Sequence, residues 1–153
     1  MNSYEQLLCE YDGEVCVIEK HFKSKAKGLC KGARIGISKN ISSSVEKACV
    51  LAEELGHHYT SSGNILNLSV VQNRKQERLA RLWAYNKQIG LRGLVKAYEY
   101  GCQNQSEIAE YLEVTEAFLE DAVNCYREKY GICTTVDNYI IYFDPLGILE
   151  LNM

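Results

Sequence analysis

Residues 43–60 constrain the fold more than any other segment, because one short stretch carries both an apolar and a polar helical face. Ser43 followed by Glu46 has the spacing of a capping box, which predicts a helix that begins near residue 44. The apolar positions that recur along one side of this helix are Val45, Ala48, Cys49, Ala52, Leu55 and Tyr59. The chain has 153 residues, 46% of them hydrophobic, which is enough for one compact domain with its own core.

The second face of the same helix is acidic and histidine-bearing. Glu53 and His57 are four residues apart and project side by side, and Glu54, offset by about 100°, can reach the same space from the edge. The stretch is one residue away from HExxH, the helical zinc-peptidase signature, because Glu53 stands where that motif has its first histidine. Two other interpretations stay open. Glu54 and His58 are also four apart, which would leave Glu53 idle, or the whole face is polar surface without a metal.

A second strong helical pattern covers residues 72–89. One of its faces carries Glu77, Ala80, Arg81 and Ala84, and the two alanines would let that face come close to a neighbouring helix. A zinc peptidase needs three protein ligands, a position for water, and a carboxylate that takes the proton of that water. Glu53 and His57 would be two ligands, with Glu77 as the third and Glu54 as the general base.

The other segments predict an α+β fold. Residues 2–12 suit a short helix, and residues 14–38 suit a small N-terminal antiparallel sheet with a turn at Lys31-Gly32. Residues 91–130 predict three more helices, broken near 101–104 and at 114–115, and a hairpin around 144–147 follows. We therefore predict one domain over 1–153. A core with a zincin-like metal-site helix pair occupies 1–90, and a helical, helix-turn-helix-like tail with a terminal β-hairpin occupies 91–153.

Residues 106–123, SEIAEYLEVTEAFLEDAV, have the apolar spacing of a helix-turn-helix. The helix that would read DNA carries Glu116, Glu120 and Asp121 where phosphates need lysine or arginine, so a duplex would be repelled. We therefore expect a packing unit or a protein-docking surface here, and no direct nucleic-acid binding.

Charge is unevenly distributed along the chain, although its formal net value is only -3 and its pI is about 5.7. Residues 20–39 carry +7, residues 73–96 carry +6, and residues 97–153 carry -9. If the two basic stretches meet in space, they form a positive surface able to steer an acidic partner; otherwise they are solvated faces.

The seven cysteines form no CxxC pair and are expected to be reduced thiols. The acidic amino terminus does not suit a signal peptide, and no apolar run approaches the roughly 18 residues that span a bilayer. We expect a cytoplasmic protein without a membrane segment.

LAEELGHHYTSSGNIL, followed by NRKQERLARLWAY, resembles the ImmA/IrrE family of metallo-endopeptidases. Glu77, Ala80, Trp83 and Ala84 match that family's Glu-x-x-Ala-x-x-Phe-Ala element, with tryptophan for phenylalanine. KGLCKGARIGISKNIS resembles its glycine-marked strands. The resemblance covers residues 14–90, and residues 91–130 resemble the tail of family members from Gram-positive bacteria and their mobile elements. It implies cleavage, or at least binding, of a helix-turn-helix repressor that controls a phage or integrative element.

Glu53 departs from that family's pattern. A Glu53/His57/Glu77 set replaces an imidazole with a harder oxygen ligand, which shifts the preference from zinc towards manganese or another divalent ion. A second anionic ligand also makes a bound water less acidic, so weaker catalysis is expected. A non-catalytic antirepressor, which binds the repressor without cutting it, is the alternative function.

Overall fold

The computed structural model describes residues 1–61 and 70–152 and confirms the α+β class. The helices are α1 (Ser3–Glu10), α2 (Ser44–Thr60), α3 (Val70–Gln88), α4 (Gly90–Tyr100), α5 (Gln105–Leu112) and α6 (Glu116–Tyr130). The strands are β1 (Cys16–Lys20), β2 (Gly28–Lys31), β3 (Arg34–Ser38), β4 (Cys133–Val136), β5 (Tyr139–Phe143) and β6 (Leu146–Glu150). A break between helices was predicted at 61–64. Only Ser61 of this segment belongs to the described residues. None of the described helices is both long enough and apolar enough to cross a membrane.

The first sheet has the strand order β1-β3-β2. β2 and β3 form the expected antiparallel pair, and Gly32, with a φ of 61°, makes the turn between them. β1 differs from the expected antiparallel arrangement, because it pairs with β3 in parallel. The reason is that residues 21–27 are too long for a tight hairpin, so β2 does not have to lie beside β1.

Helix α2 packs on the inner face of this sheet. Ile35 and Ile37 of β3 and Leu51 and Leu55 of α2 are all at most 1% exposed, so they form the centre of this core. The side chain of Ser43 accepts a hydrogen bond from the Glu46 amide, as the capping pattern predicts. The sheet and the capped N-terminus together fix the orientation of α2, and therefore the direction in which its polar face points.

Helix α3 approaches α2 closely at Gly56. A Cβ atom at this position would overlap the carbonyl oxygen of Ala80, so only glycine fits there. Ala80 and Ala84 are fully buried, as expected for a face cleared by alanines. Small side chains thus let the two helices pack nearly backbone to backbone.

The chain divides into two compact units, Met1–Ala84 and Tyr85–Met153, with the division inside α3. The second unit holds α4 to α6 and the antiparallel sheet β4-β5-β6. Asp144 and Pro145 connect β5 to β6, which confirms the terminal hairpin. The additional strand β4 was not predicted; it pairs with β5 next to α6, whose Tyr126 is fully buried. The prediction of one domain over 1–153 stays a prediction.

The helix-turn-helix-like segment of the second unit corresponds to α5 and α6. Glu113 ends α5 in a left-handed conformation, and Thr115 caps α6 by accepting a hydrogen bond from the Phe118 amide. Its three predicted acidic side chains, Glu116, Glu120 and Asp121, are all exposed. A surface of this charge is unsuited to a DNA backbone.

We predict that Gly56→Ala destabilises the protein by on the order of 3 kcal/mol, because the new methyl group forces α2 and α3 apart. Gly93→Ala in α4 is the matched control, since its Cβ would meet only ordinary contacts with Leu112 and Ile89. Replacing a helical glycine by alanine without steric conflict raises the free energy of unfolding by up to about 1 kcal/mol. Urea unfolding of both variants measures the difference, and equal stabilities would contradict the close approach.

Candidate active site

The polar face of α2 forms one wall of a cleft in the first unit. β2 and the turn that follows it form the other wall. The residues that line the cleft are Gly28, Leu29, Cys30, Gly32, Glu54, His57, His58 and Ser61. Three of the side chains singled out from the helical signature, Glu54, His57 and His58, therefore face the same space.

Gly28 lets β2 run directly over Glu54. A Cβ atom at position 28 would lie 2.7 Å from Val50 Cγ1 and 3.0 Å from Glu54 Cγ, so a larger residue would push the strand off the helix. This close cover removes water from the carboxyl group. Burial first, and then the negative charges of Glu53 and Glu77, raise the pKa of Glu54 from 4.5 to about 7. A carboxyl group with a pKa near neutrality can both take and release a proton.

Glu77 of α3 faces His57 of α2. His57 Nε2 lies 3.4 Å from Glu77 Oε2, and Arg81 Nε lies 3.4 Å from Glu77 Oε1. Two ligands of a tetrahedral zinc ion, each at about 2.0–2.1 Å, stand about 3.3 Å apart. The imidazole and the carboxylate are thus spaced as two such ligands would be, and they were predicted as a pair from positions twenty residues apart in the sequence.

Glu53, the remaining predicted ligand, does not form a group of three donors with this pair in the part of the chain that the structure describes. Among residues 1–61 and 70–152, no group of three histidine, cysteine, aspartate or glutamate side chains lies close enough to hold a metal ion. Glu53 acts on its surroundings through its charge, which raises the pKa of Glu54. His57 and Glu77 therefore offer two ligands and a negative charge that suit a divalent cation. The described residues do not add a third protein ligand to them.

His58 and Cys30 complete the lining of the cleft. His58 Nδ1 lies 2.9 Å from the carbonyl oxygen of Gly32, which ties α2 to the β2–β3 turn. Cys30 is half-buried, and burial together with the charge of Glu54 raises the pKa of its thiol. Sequence reasoning missed Cys30 and Gly28 as site residues. Their two-residue spacing within KGLCKG was the available signal, because it puts both on one face of a strand.

An aromatic cluster holds the end of α2 beside α3. Tyr59 stacks on Trp83 with ring centroids 5.4 Å apart, and Tyr11 packs against both rings. The Tyr59 hydroxyl donates a hydrogen bond to Glu14. These contacts fix the last turn of α2, where His57 and His58 lie, against its neighbours.

The chain matches the sequence model of a known family. The sequence model described as Peptidase_M78, IrrE N-terminal-like domain, matches residues 10–124, which is well over half of the chain. The matched segment includes the cleft, the α2–α3 pair and Glu77. No curated protein and no solved structure gives a significant match to the chain.

We predict that Glu54→Gln stabilises the metal-stripped protein at neutral pH. Because folding raises the pKa of Glu54, ionising this group costs folding free energy. The stability of the wild type should therefore fall relative to that of Glu54→Gln as pH rises from 4.5 to about 7, and then level off. After allowance for solvent screening, the final difference should be on the order of 2 kcal/mol. Denaturant unfolding across this range measures it, and parallel pH profiles would contradict the burial of the carboxyl group.

Proposed function

This chain belongs to the Peptidase_M78, IrrE N-terminal-like family, and on that premise we propose that it is a metal-dependent endopeptidase that cleaves a helix-turn-helix repressor of a phage or mobile element. Membership of the family supports a metallopeptidase-type function and a metal ion. The identity of the metal, the substrate and the residues that act on it are parts of the proposal.

The observation that carries the proposal is the meeting of α2 and β2 over Glu54. A carboxyl group with its pKa raised to about 7 lies in a cleft beside His57, and His57 in turn faces Glu77. Like charges from Glu53 and Glu77 act on the same carboxyl group. A purely structural helix face gains nothing from burying a carboxylate among other carboxylates, whereas a divalent cation would offset this repulsion.

In the proposed mechanism Glu53, His57 and Glu77 would hold the ion, which when bound would polarise the scissile carbonyl and activate a water molecule. Glu54 takes the proton of that water and later delivers it to the leaving amine. Its raised pKa suits both steps, because the carboxyl group exchanges its proton near neutral pH. Arg81 pairs with the second oxygen of Glu77 and keeps that carboxylate turned towards His57.

A second function has its own supporting observation. Glu53 replaces the first histidine of the signature, and the described residues gather no three-donor group. A chain of this family that kept the fold and lost hydrolysis would act as an antirepressor, binding the repressor without cutting it. Glu54 would then be dispensable.

We predict that Glu54→Gln lowers the rate of repressor cleavage at least about 100-fold, because the water loses its general base. Purified repressor is incubated with each variant and the fragments are measured by mass spectrometry. Glu46→Gln, on the first turn of the same helix and outside the cleft, is the matched control and should cleave normally. Equal activity of the wild type and Glu54→Gln would exclude the role of Glu54. Binding without cleavage by the wild type would favour the antirepressor.

We also predict one tight equivalent of zinc or manganese in the wild type, lost in His57→Ala because an imidazole ligand is removed. Isothermal titration of metal-stripped protein measures this for each ion. Glu53→His should tighten zinc binding if residue 53 is a ligand. If His58→Ala abolishes metal binding and His57→Ala does not, the two ligands on this helix are Glu54 and His58.

A further inference from the structure

The outer face of the first sheet, turned away from α2, carries an exposed apolar row. In the strand register, Ile18 of β1 and Leu29 of β2 both lie opposite Gly36 of β3. Both aliphatic side chains are 53% exposed, whereas their neighbours on the inner face of β3, Ile35 and Ile37, are at most 1% exposed. The sheet thus has aliphatic side chains on both faces, and only the inner ones are covered.

Phe22 extends this row. Its ring lies over Gly36, where a Cβ atom would stand 3.1 Å from Phe22 Cζ. The ring fills the space that the missing side chain leaves between Ile18 and Leu29. The three apolar side chains and the glycine therefore form one continuous surface, which we call the outer patch.

Cations surround the outer patch. Strand alternation places Lys20, Lys31 and Arg34 on the same face, and the Lys20 ammonium lies 5.8 Å from the centre of the Phe22 ring. In the part of the chain that the structure describes, neither Lys31 nor Arg34 forms an ion pair. These cations belong to residues 20–39, the segment of charge +7. An apolar surface with unneutralised positive charge around it is complementary to an aliphatic side chain flanked by carboxylates.

We propose that the outer patch is an exosite that binds an acidic segment of the protein substrate, with an aliphatic side chain of that segment packed on Ile18, Phe22 and Leu29. This inference rests on the proposed function and adds the chemistry of the substrate. The bound segment lies outside the DNA-contacting surface of the repressor, because that surface is basic and would be repelled.

Continuity with the cleft favours a polypeptide as the occupant. Leu29 belongs to the outer patch and also lines the cleft that contains Glu54 and His57. A chain that crosses the outer patch can therefore reach the cleft within a few residues. Nucleic acid is disfavoured because protruding aliphatic side chains offer phosphates nothing, and a membrane surface would not require this connection to the cleft.

The experiment measures binding of labelled synthetic peptides to the full-length protein by fluorescence anisotropy. The probe has a leucine flanked by glutamates; one comparison peptide replaces the glutamates with lysines and another replaces the leucine with serine. The test variant combines Leu29→Ser with Arg34→Glu. The matched control combines Leu149→Ser with Lys96→Glu, because Leu149 is also an exposed strand leucine, at 54%.

We expect the wild type to prefer the acidic leucine peptide, with an affinity that falls as salt rises. The test variant should bind this peptide at least about tenfold more weakly, and the control should bind it as the wild type does. Equal affinity for all three peptides, or an equal loss in the control, would overturn the proposal. Two further outcomes would overturn the proposal. If the wild type does not discriminate between the peptides and the test variant loses binding to phosphatidylserine vesicles, the occupant is a lipid. If Leu29→Ser changes the oligomeric state of the protein, the occupant is a second copy of the chain.

Cleavage kinetics separate this proposal from the proposed function. If the repressor is cut and the test variant leaves KM unchanged, the exosite is wrong and the peptidase stands. If the peptides bind as expected and no metal supports cleavage, the docking surface stands and the peptidase is wrong.

Discussion

The contact between Gly56 and the carbonyl of Ala80 decides the geometry of the first unit. His57 directly follows this glycine on α2, and Glu77 lies one turn before Ala80 on α3. Because the helices meet there nearly backbone to backbone, the two side chains end up 3.4 Å apart. A larger residue at position 56 would separate the helices and also the imidazole from the carboxylate. Packing and chemistry thus depend on the same missing side chain.

The electrostatics of the cleft oppose the stability of the metal-free protein. Burial of Glu54 under β2, near two other carboxylates, raises its pKa to about 7, so ionisation of this group opposes folding. Opposite charges elsewhere on α2 are paired in the usual way, Lys47 with Glu19 and Glu46 with Lys27, each at 2.6 Å. The unfavourable charges therefore act on Glu54, from Glu53 on the same helix and from Glu77 on α3. Local conflict of this kind is what a catalytic or cation-binding site requires.

The first sheet serves two surfaces through strand alternation. Its inner face supplies Ile35 and Ile37 to the core and lays Gly28 over the cleft, and its outer face carries Ile18, Leu29 and their cations. Leu29 and Gly28 are neighbours in the chain, so the cleft and the outer patch meet at one strand. If both proposals hold, a substrate bound on the outer patch would be presented to the cleft.

Local patterns determined most of the helices of this protein. The N-cap at Ser43, the breaks after Tyr100 and Leu112, and the alanines of α3 each act over three or four residues, and the structure has them close to where they were predicted. Pairing over longer distances was harder to predict. Alternation shows which face a strand buries but not its neighbour, so the parallel β1–β3 pair and the added strand β4 appear only in the structure.

In the candidate site, too, the sequence determined the local features and the tertiary structure determined the contacts between elements. By itself, the sequence determined that Glu53 and His57 share a helix face and that Glu54 stands at its edge, because helical spacing is a local property. Only the tertiary structure decided that β2 covers Glu54, that Cys30 joins the cleft, and that Glu77 meets His57. It also decided that, within residues 1–61 and 70–152, Glu53 does not complete a group of three donors. Those facts depend on where separate elements pack against one another, and burial, which sets the charge state of Glu54, exists only after they have packed.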